Sequence, residues 1–191
     1  MESWIIWAIL GIVVVGLILI YNRLVALRQK RKSAESDIDV QLKQRYNLVP
    51  QLVETVKGYA SHENEVFTKV TDARAQVGQS KQQAPENPER MNAEGLLGGA
   101  LMDLFAVAEN YPDLKADANF RELQRELSDI ENKIAAARRF FNAATSEYNS
   151  AIQQFPAVLL AGTFGFQEED FFELDPTIAQ AAQKAPEVKF T

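Results

Sequence analysis

The sequence predicts an all-α protein in which one N-terminal transmembrane helix continues into an antiparallel helical bundle of long, coiled-coil-like helices. Three patterns predict it. Residues 4–20 form an apolar run of 17 residues without a charge. Phe120, Leu127, Ile134, Phe141, Tyr148 and Phe155 recur every seven residues, the period of a helix whose stripe faces a neighbouring helix. Between these segments, Ile38, Leu42, Val49, Leu52, Val56, Tyr59, Phe67, Val70, Ala73 and Val77 are spaced mostly three or four apart, which again marks one helix face.

The first element, WIIWAILGIVVVGLILI, covers about 26 Å as a helix and with its flanks approaches the ~30 Å hydrocarbon thickness of a bilayer. No Lys or Arg precedes it and no small-x-small site follows it, so an uncleaved anchor is expected rather than a secretory signal. Trp4, Trp7 and Tyr21 stand near its two ends, where amphipathic rings favour the water boundary. Gly11 and Gly16 are five apart, not four, so the span lacks the spacing that pairs membrane helices. Arg23, Arg28, Lys30, Arg31 and Lys32 follow the run, against a single Glu2 before it. The positive-inside rule then puts residues 1–3 outside and residue 22 onward in the cytoplasm. The expected anchor residues are Trp4, Trp7, Tyr21, Arg23 and Arg28, and the basic collar also attracts anionic headgroups. Taking Glu2 and the five collar cations from the totals of 26 acidic and 20 basic residues leaves 25 and 15 after position 32, a net charge of −10.

The body follows as residues 22–155. Nothing between Ile20 and Ser33 resembles a turn, so the span is expected to continue into the 33–77 stretch as one rod. Glu63 interrupts that stripe at a core-like position, and Pro50 removes a backbone hydrogen bond, which predicts a kink or loosened turn beginning near Tyr46. GQSKQQAPENPE (78–89) reads as an exposed connection. Residues 90–110 predict a shorter helix ended by Tyr111-Pro112-Asp113, whose Gly95 and Gly99 are expected to mark close backbone approach within the bundle. The heptad helix is expected from an Asp117 N-cap to Phe155, where Pro156 stops it. Leu123, Ile130, Ala137, Ala144 and Ala151 fill its d positions. Residues 156–174 are dense in apolar side chains yet too short to cross a bilayer. Three placements stay open for them: a cap on the bundle, a contact between subunits, or the membrane surface, although the acidic QEED disfavours anionic lipid. The candidate interface residues are Phe155, Leu159, Phe164, Phe166, Phe171 and Phe172. Residues 175–191 lack a core pattern and are expected to be a mobile tail.

Chemistry is sparse. With no cysteine there is no disulfide, thiolate metal cage, cysteine nucleophile or lipidated cysteine. A net charge of −6 and a pI near 5.0 disfavour nucleic acid as a partner. A di-metal bundle needs two Glu-x-x-His pairs, but the one histidine, His62, has Tyr59 three residues before it. Glu63 and Glu65 read as solvated or surface-paired. Arg138 and Arg139 flank the alanine seam, where pairing between helices and exposure to solvent are favoured over recognition of an acidic partner. No Gly-x-Ser-x-Gly elbow or phosphate loop occurs. No catalytic residue, metal or cofactor is expected.

YNRLVALRQ (21–29), QLKQRYNLVPQLVETVKGYASHE (41–63), LMDLFAVAENYPDLKADANFRELQREL (101–127), IENKIAAARRFFNAATSEYNSAIQQFP (130–156) and LLAGTFGFQEEDFFE (159–173) together resemble the LemA family of bacterial membrane proteins, across nearly the whole chain and in order. The resemblance implies a single-pass protein of the bacterial cytoplasmic (inner) membrane with an antiparallel bundle and no established enzymatic activity. Where that family's pattern is acidic at position 47, this chain has Asn47, so no ion pair is carried over there. The expected function is a membrane-anchored scaffold or interaction protein that self-assembles, with the lipid bilayer, further copies of itself and other membrane proteins as partners. The other reading is an accessory factor in membrane-protein quality control or envelope stress signalling that binds a protease or sensor.

Overall fold

A computed structural model describes residues 3–172. The expected tail and the last two residues of the 156–174 segment lie outside the described residues. The described chain is all helical, without a strand: α1 (Ser3–Tyr59), α2 (Asn64–Ser80), α3 (Pro88–Ala108), α4 (Pro112–Ala116), α5 (Ala118–Gln153) and α6 (Val158–Ala161). It divides into two compact units, one formed by residues up to Ile38 with Ala136–Phe171, the other by Asp39–Ala135 with Phe172. α1 and α5 contribute to both. The apolar run and the helix after it are one unbroken rod, as expected.

In the first unit α1 and α5 run antiparallel. Lys30 Nζ lies 2.6 Å from Glu147 Oε2 and Arg31 Nε donates to Thr145 Oγ1 at 3.2 Å, so rising numbers on α1 meet falling numbers on α5. Leu24, Leu27, Tyr148, Ala151, Ile152, Ala157, Ala161 and Phe166 form its core, with Ile20 and Val25 packed against them. The turn after α6 is a Schellman closure: Phe166 N–H donates to Ala161 O at 2.9 Å and Gly165 N–H to Gly162 O at 3.3 Å. Gly165 has φ of +72°, which a side chain would strain, and the closure brings apolar Phe166 onto Ala161.

In the second unit α1, α2, α3 and α5 form a four-helix bundle. Arg45 joins α1 to Glu94 of α3 and Glu131 of α5, Arg90 of α3 reaches Asp39 of α1 at 2.6 Å, and the Phe105 and Phe120 rings lie 6.2 Å apart. The core is apolar, with Leu42, Leu52, Val70, Leu97, Leu104 and Ile134 each almost wholly buried. Leu114 of α4 is also buried.

Two expectations are corrected here. The 33–77 stripe is two helices, broken at Ala60–Glu63, because α2 must fold back for Arg74 to reach Tyr46, 28 residues earlier. Glu63 sits at that break as the residue before α2, and Tyr111 Oη donates to it at 3.1 Å. The glycines of α3 do not mark close approach either. A Cβ built on Gly95, Gly98 or Gly99 meets no described atom within 4 Å, whereas one on Gly78 of α2 meets Tyr46 Oη at 3.3 Å. Since no contact within the chain requires glycine there, Gly95→Ala is expected to raise the folding stability of the single chain by about 0.5 to 1 kcal/mol, read as an increased urea midpoint at unchanged slope.

α5 largely follows its heptad. Phe120, Leu127, Ile134, Phe141 and Tyr148 are all buried, as are Ile130, Ala144 and Ala151, while Leu123 and Ala137 are half-buried. The last a position departs: α5 ends at Gln153, so Phe155 leaves the stripe and is 80% exposed. At the other end Asp117 caps the helix, its Oδ1 accepting Phe120 N–H at 2.8 Å and its Oδ2 accepting from Tyr59 Oη at 3.1 Å. The Phe120 bond leads in holding this carboxyl below its usual range, against a smaller opposing effect of desolvation. A folded-state pKa below the unfolded one stabilises above the unfolded value and loses that contribution as pH falls through the folded value. The Asp117→Asn variant is therefore expected to lose less melting temperature than the parent between pH 7 and about pH 3.

Candidate functional site

The candidate site lies in the first unit, where the apolar run of α1 gives way to its packed part. From Trp4 to Leu19 the large apolar side chains point outward, and no residue of the most apolar 18-residue window is buried. A soluble helix does not leave that much contiguous apolar surface in water. Trp4, Trp7 and Tyr21 are exposed, as are Arg23, Arg28 and Lys32 after them. The collar is not uniform, however. Arg31 turns inward: its guanidinium lies 4.6 Å from the centre of the Phe141 ring and 3.4 Å from Glu169 Oε2, and its Nη2 donates to Asp170 O at 3.2 Å.

Beyond Pro156 the chain returns to the foot of the rod. Phe164 and Phe166 approach the Tyr21 ring edge-on at 5.3 and 5.7 Å. The candidate interface residues separate into two kinds. Phe166 and Phe172 are core residues, 5% and 7% exposed, and cannot offer a contact surface. Phe155, Leu159, Phe164 and Phe171 are exposed, together with Val158. Two of the acidic residues that follow are tied back to the protein: Gln153 Nε2 donates to Glu168 at 2.7 Å, and the Asn149 side chain and the Glu169 backbone exchange two hydrogen bonds. Tyr148, fully buried beneath them, has its hydroxyl pKa raised by burial, with the Arg28 charge acting the other way.

Polar groups in the second unit do structural work. Arg45 and Glu94 are both buried and paired, and Glu131 completes the group at 2.8 Å from the more exposed side. Burial alone would lower the Arg45 pKa, but the charges of Glu131 and Glu94 outweigh it and hold the proton more firmly than in free arginine. A second constellation is half legible in the sequence, where Pro50 frees a carbonyl near Tyr46 but nothing marks Arg74 as its partner. Pro50 has no N–H to give the Tyr46 carbonyl, and Arg74 Nε of α2 donates to that carbonyl at 3.2 Å while its guanidinium lies 4.0 Å from the centre of the Tyr46 ring. An open polar cleft of about 360 Å³ lies between α2 and α3, lined by Gln76, Gln79, Ser80, Gln83, Glu89, Asn92 and Ala93. Its hydroxyl and its carboxylate are not paired with each other: Glu89 accepts from Gln83 Nε2 at 2.8 Å, and Ser80 Oγ donates to Val77 O at 3.3 Å. His62 is exposed at the α1–α2 turn. Among the described residues no group of three or more His, Asp or Glu could hold a metal ion.

Sequence comparison adds the relatives. The profile of the LemA family matches residues 34–190, taking in the bundle and starting after the apolar run. Over 182 residues the chain is 26% identical to "Magnetosome protein MamQ" of Magnetospirillum gryphiswaldense, covering 84% of this chain and 67% of that protein. The same identity and coverage hold for "Magnetosome protein MamQ 2" of Paramagnetospirillum magneticum. "Protein LemA" of Metamycoplasma hominis is 28% identical over 134 residues, 70% of this chain and 60% of that protein. None of these names denotes a catalytic activity.

Proposed function

The chain belongs to the LemA family, and from that premise we propose that it is a non-catalytic interaction protein of the bacterial inner membrane, anchored by one span and assembling with copies of itself. The span shares an unbroken helix with the bundle, and the exposed Arg23, Arg28 and Lys32 favour a bundle in the cytoplasm.

The observation that carries self-assembly is the outer face of α3. A helix that packs on one side normally shows polar residues on the other. Between the exposed Asn92 and Asp103, α3 instead turns Gly95, Leu96, Gly99 and Met102 outward, with Met102 74% exposed and open space beside both glycines. Two glycines four apart form a shallow notch into which an identical helix can settle about a two-fold axis, each copy offering the same face. The absence of cysteine makes the test clean. In full-length protein in mild detergent, Met102→Cys is expected to give a dimer-sized adduct with a short bis-maleimide, and Gly99→Leu, which fills the notch at an open position, is expected to abolish it without lowering the melting temperature. A monomeric mass at every concentration, with no adduct through position 102, would overturn the proposal.

A further inference from the structure

Resting on the reading of residues 4–21 as a span, we infer that residues 155–164 are a second membrane contact. In it Phe155, Val158, Leu159 and Phe164 enter the headgroup–acyl boundary of the leaflet beside the rod. Position comes first. Ile20 is the last residue of the apolar run, and it packs against the core that holds Ala157, Ala161 and Phe166. Phe164 lies edge-on to Tyr21, the aromatic residue at the end of the span. The segment is thereby held at the depth where hydrocarbon gives way to headgroups, a depth that suits aromatic and aliphatic side chains on one face of a short helical turn.

Composition agrees. Residues 154–166 contain no charged side chain. The turn divides its apolar residues by destination: Ala157, Ala161 and Phe166 face the protein, while Phe155 and Leu159 remain 80% and 68% exposed. Without an occupant, that outward cluster would be a costly patch of apolar surface in water. Within the acidic QEED that counts against anionic lipid in the sequence, Glu168 accepts from Gln153 and Glu169 lies beside Arg31, so two of its three carboxylates are engaged, although Glu168 and Asp170 remain exposed. The exposed cations nearest the span, Arg23 and Arg28, lie on the α1 stretch that bears Leu24 and Leu27 of the same core, where they complement anionic headgroups. A span with a second foothold cannot rotate or tilt freely, so the contact fixes how the first unit stands on the membrane.

Because the chain has no cysteine, single labelling sites can be placed without background. Nitroxide labels at Phe155→Cys and Leu159→Cys are introduced into the full chain in vesicles of phosphatidylcholine and phosphatidylglycerol. Val13→Cys serves as the reference within the span and Arg139→Cys as the reference on the exposed surface of α5. Relaxation by oxygen, which partitions into lipid, is compared with relaxation by a water-soluble nickel chelate. Positions 155 and 159 are expected to favour oxygen over the chelate several-fold more than position 139. Chelate access at 155 and 159 equal to that at 139, with position 13 still lipid-like, overturns the second contact and leaves the span standing. Shielding from both reagents together with dipolar broadening between copies also overturns it, assigning the cluster to a neighbouring protomer. Chelate access at position 13 removes the span, and the inference with it.

Discussion

Replacing Arg45 with leucine is expected to cost about 3 to 5 kcal/mol of folding stability, the range for breaking a buried ion pair from one side. The size follows from what is left behind. Glu94 is 4% exposed, and its carboxylate and its backbone carbonyl both accept from the Arg45 guanidinium. Without the guanidinium, Glu94 must stay charged in a poor solvent or take up a proton, and either route costs free energy. Removing Glu131 should matter far less, because its side chain is 43% exposed and water can replace its partner. The order of effects is therefore Arg45→Leu, then Glu94→Leu, then Glu131→Leu by a wide margin. The double variant Arg45→Leu with Glu94→Leu should recover most of the loss, since replacing a buried pair by apolar residues is often neutral or better. Urea denaturation of the full chain in detergent reads all four. A double variant as unstable as the sum of the singles would show that the pair is not an isolated electrostatic unit.

The second large effect lies at Pro50. Arg74→Leu keeps much of the aliphatic stem but leaves the half-buried Tyr46 carbonyl without the donor it has now, and is expected to cost about 1 to 3 kcal/mol. Loss of the guanidinium over the Tyr46 ring adds about 0.5 to 1 kcal/mol. Pro50→Ala restores an N–H that can serve the same carbonyl from within α1 and should itself stabilise the protein. The diagnostic result is the coupling: Arg74→Leu should be cheaper in the Pro50→Ala background by about 1 kcal/mol. Equal costs in both backgrounds would mean that Arg74 acts through the ring contact alone. This arrangement lets α1 run unbroken to Tyr59 through a proline, because a neighbouring helix supplies what the proline withholds.

How much of this could be read in advance depended on how local each signal is. The heptad of α5 was legible because burial of Phe120, Leu127, Ile134, Phe141 and Tyr148 follows from helical geometry alone. Phe155 fits the same count yet lies outside the helix, since the stop comes two residues before it. The fold-back at Ala60 was not legible: Gly58, Ser61 and His62 weaken a helix only modestly, and the reversal is fixed by where α2 packs. The same holds for Gly95 and Gly99, whose spacing is compatible with a buried seam or an open face.

Run length, period and charge order by themselves determined the apolar rod, the basic collar, the all-helical class and the N-cap at Asp117, because each is set by residues within a few turns of one another. Only the tertiary structure decided which charges are spent inside the protein and which apolar residues remain outside. Arg31 differs from Arg28 only through Asp170, 139 residues away, and its other partners in that unit. Phe166 differs from Phe164 only because the Gly165 turn sends one ring into the core and leaves the other half-exposed against Tyr21. Periodicity reports which face of an element is apolar. What meets that face depends on chain reversals and long-range contacts, which a local pattern does not encode.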